Sequence, residues 1–209
     1  MILHQKSRGE GREPVIICIG GLAGSGKSTL AKKIAEKYDL RYFSGGDALM
    51  ALAIEEGYKP LQHGWWESQE GMKFLEKRGK DPRFDEAVDK KLVELAQKGD
   101  VILDSWTMPW LLKKGFKIWL EASPEKRAER IVKRDRMSFK KALEALKCKE
   151  KQTQTIYRKM YGFSLGDDFE PFHFILDTES LNAEEVFQVL CIVMDSPAFH
   201  RDGTLSPDP

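Results

Sequence analysis

Residues 15–29 read Val-Ile-Ile-Cys-Ile-Gly-Gly-Leu-Ala-Gly-Ser-Gly-Lys-Ser-Thr. The apolar run at their start shows no alternation, which marks a strand buried on both faces of a parallel sheet. Directly behind it, Gly21, Leu22, Ala23, Gly24, Ser25, Gly26, Lys27 and Ser28 satisfy G-x-x-x-x-G-K-[ST] at every fixed position. A helical pattern then opens at Lys27. Glycines let the backbone curl until its amide N–H groups converge on phosphate oxygens, and the helix N-terminus adds its positive dipole end. In such a loop Lys27 reaches the β- and γ-phosphates of ATP, Ser28 gives its hydroxyl to Mg²⁺, and Thr29 follows in the first turn.

The alternation that begins here continues to residue 195. Strands are predicted at Val15–Gly20, Arg41–Ser44, Val101–Asp104, Phe116–Leu120 and Phe172–Asp177. Helices are predicted at Lys27–Tyr38, Asp47–Glu56, Trp66–Arg78, Phe84–Lys98, Thr107–Lys114, Pro124–Arg136, Ser138–Tyr161 and Asn182–Asp195. Strand–helix alternation argues for an open α/β fold. Two connections, of about 55 and about 50 residues, exceed what a crossover needs and read as elements placed over one cleft. The expected organisation is a single domain over 14–196, with an insert at about 45–99, a lid at about 124–165, and frayed tails at 1–13 and 197–209.

Composition limits the alternatives. The chain has 209 residues, 41% hydrophobic and 32% charged, enough for one core under a solvated surface. Lys and Arg number 34 against 33 Asp and Glu, a net charge of +1, so no global field favours nucleic acid or another polyanion. Cys18, Cys148 and Cys191 are odd in number and form no CxxC pair, which excludes a disulfide scaffold. Cys18 and Cys191 lie in apolar runs and read as buried. No run approaches the roughly 18 apolar residues of a membrane span, and MILHQKSRGEGREP is too polar for a signal peptide. A reduced, cytoplasmic chain is expected, as a monomer or a homodimer.

Beyond the loop, Asp104 ends the apolar VILD strand and is the candidate for the second metal-binding oxygen beside Ser28; its other reading is a helix cap. Asp47, at the tip of the second strand, either orients an acceptor or caps its own helix. Arg127, Arg130 and Arg134 are spaced by three and four residues and share a helix face, with Arg136 just beyond. Guanidinium groups stack on purines, pair with phosphate and neutralise a phosphoryl group in transfer.

The residues that carry a resemblance are IGGLAGSGKSTLAKKIAEKYDL at 19–40, FSGGD at 43–47, LAQKGDVILD at 95–104, KIWLEASPEKRAERIVKRD at 117–135, YRKMYG at 157–162 and ILDTES at 175–180. With them the chain resembles the P-loop nucleoside monophosphate kinases, and among these the archaeal-type cytidylate kinases, from about residue 14 to 195. The resemblance implies a three-layer α/β/α fold on a five-stranded parallel sheet, with ATP and Mg²⁺ as cofactors and a nucleoside monophosphate as acceptor. It implies that Arg130 stacks on adenine, that Arg134 contacts the transferred phosphate, and that Asp177 to Ser180, with Thr178 among them, borders the adenine.

The acceptor half departs from the family pattern. Met50 stands where an arginine is usual, Trp106 replaces the arginine of an EGR-like triplet, Glu86 follows Asp85 where an arginine is common, and Ile156 replaces a lid arginine. Arg83, with Lys59, Arg78 and Lys80, is a candidate substitute in the insert, and Asp47, Met50, Asp85 and Trp106 complete the expected acceptor wall. The expected activity is γ-phosphoryl transfer from ATP to CMP or dCMP through Lys27, Asp104, Arg130 and Arg134. The alternative is a kinase of the same fold acting on a less charged acceptor such as a nucleoside, a small metabolite or RNA. A third reading makes the basic stretch Lys140–Lys159 a contact for RNA without catalysis.

Overall fold

A computed structural model describes residues 14–60 and 64–196; both segments read as tails lie outside the described residues. Five strands, β1 (Ile16–Gly21), β2 (Arg41–Ser44), β3 (Val101–Asp104), β4 (Phe116–Glu121) and β5 (Phe174–Asp177), form one sheet in the order β2-β3-β1-β4-β5. Every neighbouring pair is parallel. Helices α1 (Lys27–Tyr38), α2 (Gly45–Glu55), α3 (Gln69–Lys80), α4 (Arg83–Gln97), α5 (Met108–Leu111), α6 (Pro124–Asp135), α7 (Phe139–Tyr161) and α8 (Ala183–Met194) surround it.

Both faces of β1 are covered, which explains its unbroken apolar sequence. Ile17 and Ile19 pack with Leu30 and Ile34 of α1 and Leu190 of α8. Cys18 faces the other layer with Leu103, Val88 and Leu92, and burial pushes its thiol up to about 12. Cys191 is buried and Cys148 exposed, all three as free thiols. Because β3 and β4 flank β1 on opposite sides, the chain leaves β1 where an open α/β sheet forms its ligand crevice.

Three predicted elements differ. The single helix expected from Trp66 is a 3₁₀ turn at Trp65–Glu67 followed by α3, because the Ser68 hydroxyl accepts from the Gly71 N–H and starts a new helix. The helix predicted at Thr107–Lys114 shrinks to α5: Leu112 is already extended, and Gly115 lies at φ 110°. β5 begins at Phe174 rather than Phe172, since the Phe172 N–H donates to the Phe169 carbonyl in a turn.

Candidate active site

The loop after β1 curls through positive φ at Gly24 (82°) and Gly26 (98°). A Cβ on Gly24 would stand 2.7 Å from the Arg127 carbonyl, so glycine there is required by packing as well as by backbone angle. Arg127, on α6, is 2% exposed and braces the loop from beneath. Its Nε donates to the Ala122 carbonyl (3.0 Å) and its Nη1 to the Ala23 carbonyl (3.1 Å). The guanidinium also pairs with Glu150 of α7, a carboxyl that burial pushes up.

The three arginines that share a face of α6 therefore reach three places. Arg127 is structural. Arg130 donates to the Thr178 carbonyl (2.6 Å), to Thr178 Oγ1 (3.1 Å) and to the Ser25 carbonyl (3.3 Å), joining the loop to the turn after β5. Arg134 is half exposed and paired with Asp135 at 2.5 Å.

Asp104 occupies the end of β3, beside Ile19 of β1 and opposite Ser44 of β2. Its Oδ2 accepts from Ser28 Oγ at 2.5 Å and from the Tyr42 hydroxyl at 3.3 Å. It caps no helix: the N-cap of α5 is Thr107, without a side-chain bond. A hydroxyl and a carboxylate in contact, both hard oxygen donors, fit Mg²⁺, which is held by one or two protein oxygens plus phosphates and waters. Asp47 lies in the first turn of α2, whose cap is Ser44, accepting from the Asp47 N–H at 3.1 Å.

Two clefts of about 400 Å³ each open on either side of the loop. One is lined by Gly26, Thr29, Arg130, Thr178 and Asn182. The other is lined by Asp47, Met50, Asp85, Asp104 and Trp106. Gly24, Lys27, Ser28 and Arg134 belong to both. Ser25 lines the first cleft and Ala23 the second, while Gly21 and Leu22 line neither. The Gly21 carbonyl instead accepts from Trp106 Nε1 at 2.5 Å, and Leu22 packs against the cluster around Trp119 and Phe163. Ser180 is exposed and outside the lining, which continues at Leu181 and Asn182.

Arg83 requires a correction. Its side chain is 84% exposed, paired with Asp81, and outside both clefts, because at the first residue of α4 it projects into water. Lys59 and Lys80 are exposed as well. Arg78, by contrast, is buried with Asp85 in the cleft that Asp47 and Trp106 line. Its signal was legible: Gly71, Phe74, Leu75 and Arg78 recur at helical spacing, so a cation sits on the buried stripe of α3. Lys149, on α7, lies 4.7 Å over the Trp66 ring and 5.7 Å over Trp106, and Lys27 lies 5.5 Å over Trp106. Asp89 of α4 accepts from Thr107 Oγ1 and from the Tyr161 hydroxyl, each at 2.5 Å, and burial raises its carboxyl. No helix among the described residues is long and apolar enough to cross a membrane.

A model of the cytidylate kinase-like family matches residues 16–180. The cytidylate kinase of Methanocaldococcus jannaschii is 35% identical over 187 residues, covering 87% of this chain and 98% of that protein. The cytidylate kinase of Pyrococcus horikoshii is 31% identical over 185 residues, covering 88% and 90%. Among solved structures, an uncharacterized protein from Eubacterium ventriosum superposes with a TM-score of 0.60 at 18% identity, covering 87% of this chain and 99% of that one. Shikimate kinase from Bacteroides thetaiotaomicron gives 0.53 at 17% identity, covering 88% and 100%. Deoxyadenosine kinase from M. mycoides with bound dATP gives 0.53 at 16%, covering 87% and 100%. These structures share the fold alone. The family match spans most of the chain and both relatives align along nearly their whole length, so the chain belongs to the cytidylate kinase-like family.

Proposed function

We propose that the protein is an ATP-dependent cytidylate kinase that transfers the γ-phosphoryl group of ATP to CMP or dCMP. The observation that carries this reading is the pair of clefts meeting at Gly24, Lys27, Ser28 and Arg134. A donor in the cleft lined by Arg130 and Thr178 and an acceptor in the cleft lined by Asp47 and Trp106 would bring their phosphates together at those four residues. The insert at 45–99 supplies the acceptor wall, and the lid at 124–165 supplies Arg130, Arg134 and Lys149. The relatives named above are cytidylate kinases, which favours this reading over a neutral acceptor.

The chemistry asks mainly for positioning and charge. Transfer passes through a loose transition state with charge spread over the equatorial oxygens of the moving group. Backbone N–H groups of the loop and the Lys27 ammonium hold the donor phosphates in line with the acceptor. Arg130 fixes the adenine side, and Arg134 follows the γ-phosphoryl from the junction. Ser28 and Asp104 would hold Mg²⁺, which when bound neutralises charge on the β- and γ-oxygens. The acceptor's phosphate is already anionic, so no side chain has to remove a proton. Closing the lid over both clefts keeps water from competing as acceptor.

The direct test supplies ATP labelled in its γ-phosphate together with CMP, dCMP, UMP, AMP or GMP, and separates the products. Label is expected in CDP or dCDP first. Label released only as inorganic phosphate, whatever monophosphate is present, would end the reading.

A further inference from the structure

The adjacent tryptophans at 65 and 66 turn one rigid indole face toward α7. Trp65 is 2% exposed, and its ring lies 5.8 Å from Phe74, which meets Tyr58 and Phe84 edge to face at 5.4 and 5.3 Å. Trp66 stands edge to face on Trp65 at 4.6 Å. The Ser68 hydroxyl donates to the Trp65 carbonyl at 2.6 Å and accepts from the Gly71 N–H at 3.1 Å, which ties the 3₁₀ turn to α3. The Trp66 ring is therefore fixed by neighbours that are themselves packed, and it lies half-buried in the cleft lined by Asp47 and Trp106.

Lys149 of α7 lines the same cleft and brings its ammonium to 4.7 Å from the Trp66 ring and 5.7 Å from the Trp106 ring. The turn before Trp66 touches the α6–α7 pair a second time: a Cβ on Gly64 would meet Asp135 at 3.4 Å and Met137 at 3.7 Å. Asp135 and Met137 flank Arg136, whose left-handed backbone (φ 54°) ends α6.

We infer that Trp66 is a positioning residue: its indole face holds the Lys149 ammonium at the meeting point of the two clefts and so latches the insert to the lid. The inference rests on the kinase reading and deepens it. Lys149 is the group that would touch phosphate, and Trp66 acts through it.

The chemistry of the contact suits that task. A lysine carries its charge on a flexible four-carbon stem, so its ammonium has to be placed before it can serve a short-lived transition state. An indole attracts an ammonium without cancelling its charge, and the cation it holds stays available to a phosphoryl group. Trp106 does not settle the position of Lys149 by itself, because Lys27 lies over the same ring at 5.5 Å and the two ammonium groups repel. Trp66 supplies the nearer face, from a segment of chain that Lys27 does not occupy. A phosphoryl anion drawn between Lys27 and Lys149 would meet both charges at once.

The test is a double-substitution cycle on kcat for transfer to CMP at saturating ATP and Mg²⁺. It compares wild type, Trp66→Leu, Lys149→Met and the pair, with Trp66→Phe beside them. Lys149→Met should lower kcat about a hundredfold, and Trp66→Leu about three- to thirtyfold. In the Lys149→Met background Trp66→Leu should cost nothing more, because the group it acts through is gone. Trp66→Phe keeps a ring face and should recover most of the loss. Lys149 does not line the cleft of Arg130 and Thr178, so KM for ATP should hold its wild-type value in every variant. Equal costs of Trp66→Leu in both backgrounds, a wild-type kcat for Trp66→Leu, a Trp66→Phe as impaired as Trp66→Leu, or a KM for ATP that moves with kcat would overturn the inference. If Trp66→Leu does not fold, Trp66→Phe takes its place in the cycle and the two outcomes are read in the same way. If wild type phosphorylates no monophosphate, the kinase reading fails, and urea unfolding of the same four proteins decides the latch. Destabilisations that do not add uphold it, and additive ones overturn it.

Discussion

Trp106 ties the phosphate loop to the cleft that it lines with Asp47. Its Nε1 donates to the Gly21 carbonyl at 2.5 Å, and Lys27 and Lys149 lie over its ring at 5.5 and 5.7 Å. Trp106→Phe removes the donor and keeps an aromatic face. A hydrogen bond of this kind contributes about 0.5–1.5 kcal/mol net, so ATP affinity should fall about two- to twelvefold. Trp106→Ala also removes two cation–π contacts of roughly 0.5–1 kcal/mol each, which raises the expected loss to about tenfold or a few hundredfold. ATP binding is read by calorimetry, and KM for CMP by coupled ADP release. Both should weaken, because the side chain touches the phosphate loop and lines the acceptor cleft. A Trp106→Ala protein that binds ATP like wild type and is impaired only toward CMP would refute the coupling and leave the indole as acceptor wall alone.

Four further outcomes follow from the same geometry. Lys27→Ala should abolish turnover, and activity within about tenfold of wild type would contradict its place on the donor phosphates. Ser28→Ala and Asp104→Asn should each raise the Mg²⁺ concentration needed for half-maximal rate, and an unchanged Mg²⁺ titration would remove them from the metal. Arg127→Met leaves Glu150 buried without its partner and should destabilise the fold by about 3–5 kcal/mol in urea unfolding, with Arg127→Met/Glu150→Leu recovering most of it. The Asp89 carboxyl titrates above its ordinary range because it is buried. Its stabilising contribution is thus fully present below its unfolded-state pKa and fades as pH rises through the folded one. Asp89→Asn should flatten that part of the stability–pH curve, and parallel curves for the two proteins would contradict the assignment.

Much of the architecture was legible because it is encoded locally. The phosphate loop is set by glycine spacing between an apolar strand and a helix, and the unalternating β1 and β3 announced a sheet covered on both faces. Ser123 before Pro124 marked the start of α6, and the Ser123 hydroxyl accepts from the Lys126 N–H there. Strand order was not legible, since pairing joins residues such as Ile17 and Phe116 that are far apart in sequence. For the cleft lined by Asp47 and Trp106 the resemblance led to the expectation of replaced arginines, but the sequence did not say which cations stand in the cleft. Arg83 and Arg78 look alike as letters in a basic stretch. One begins a helix in water and the other lies on a helix face packed against Tyr157, a residue 79 positions away. The arginine stripe of α6 was real as a pattern, but where each guanidinium ends depends on Ala23, Glu150 and Thr178, which only the folded chain brings within reach.

The central claim is that donor and acceptor clefts meet at Lys27 and Arg134. An analogue with adenosine and cytidine joined by a chain of phosphates tests it in one binding experiment. Such a molecule fills both clefts only if they are continuous and correctly spaced. The account predicts that it binds about 10²–10⁴-fold more tightly than ATP or CMP alone and that each of them displaces it. Affinity no better than that of ATP, with CMP still binding beside it, would place the two nucleotides in unconnected sites and contradict the account.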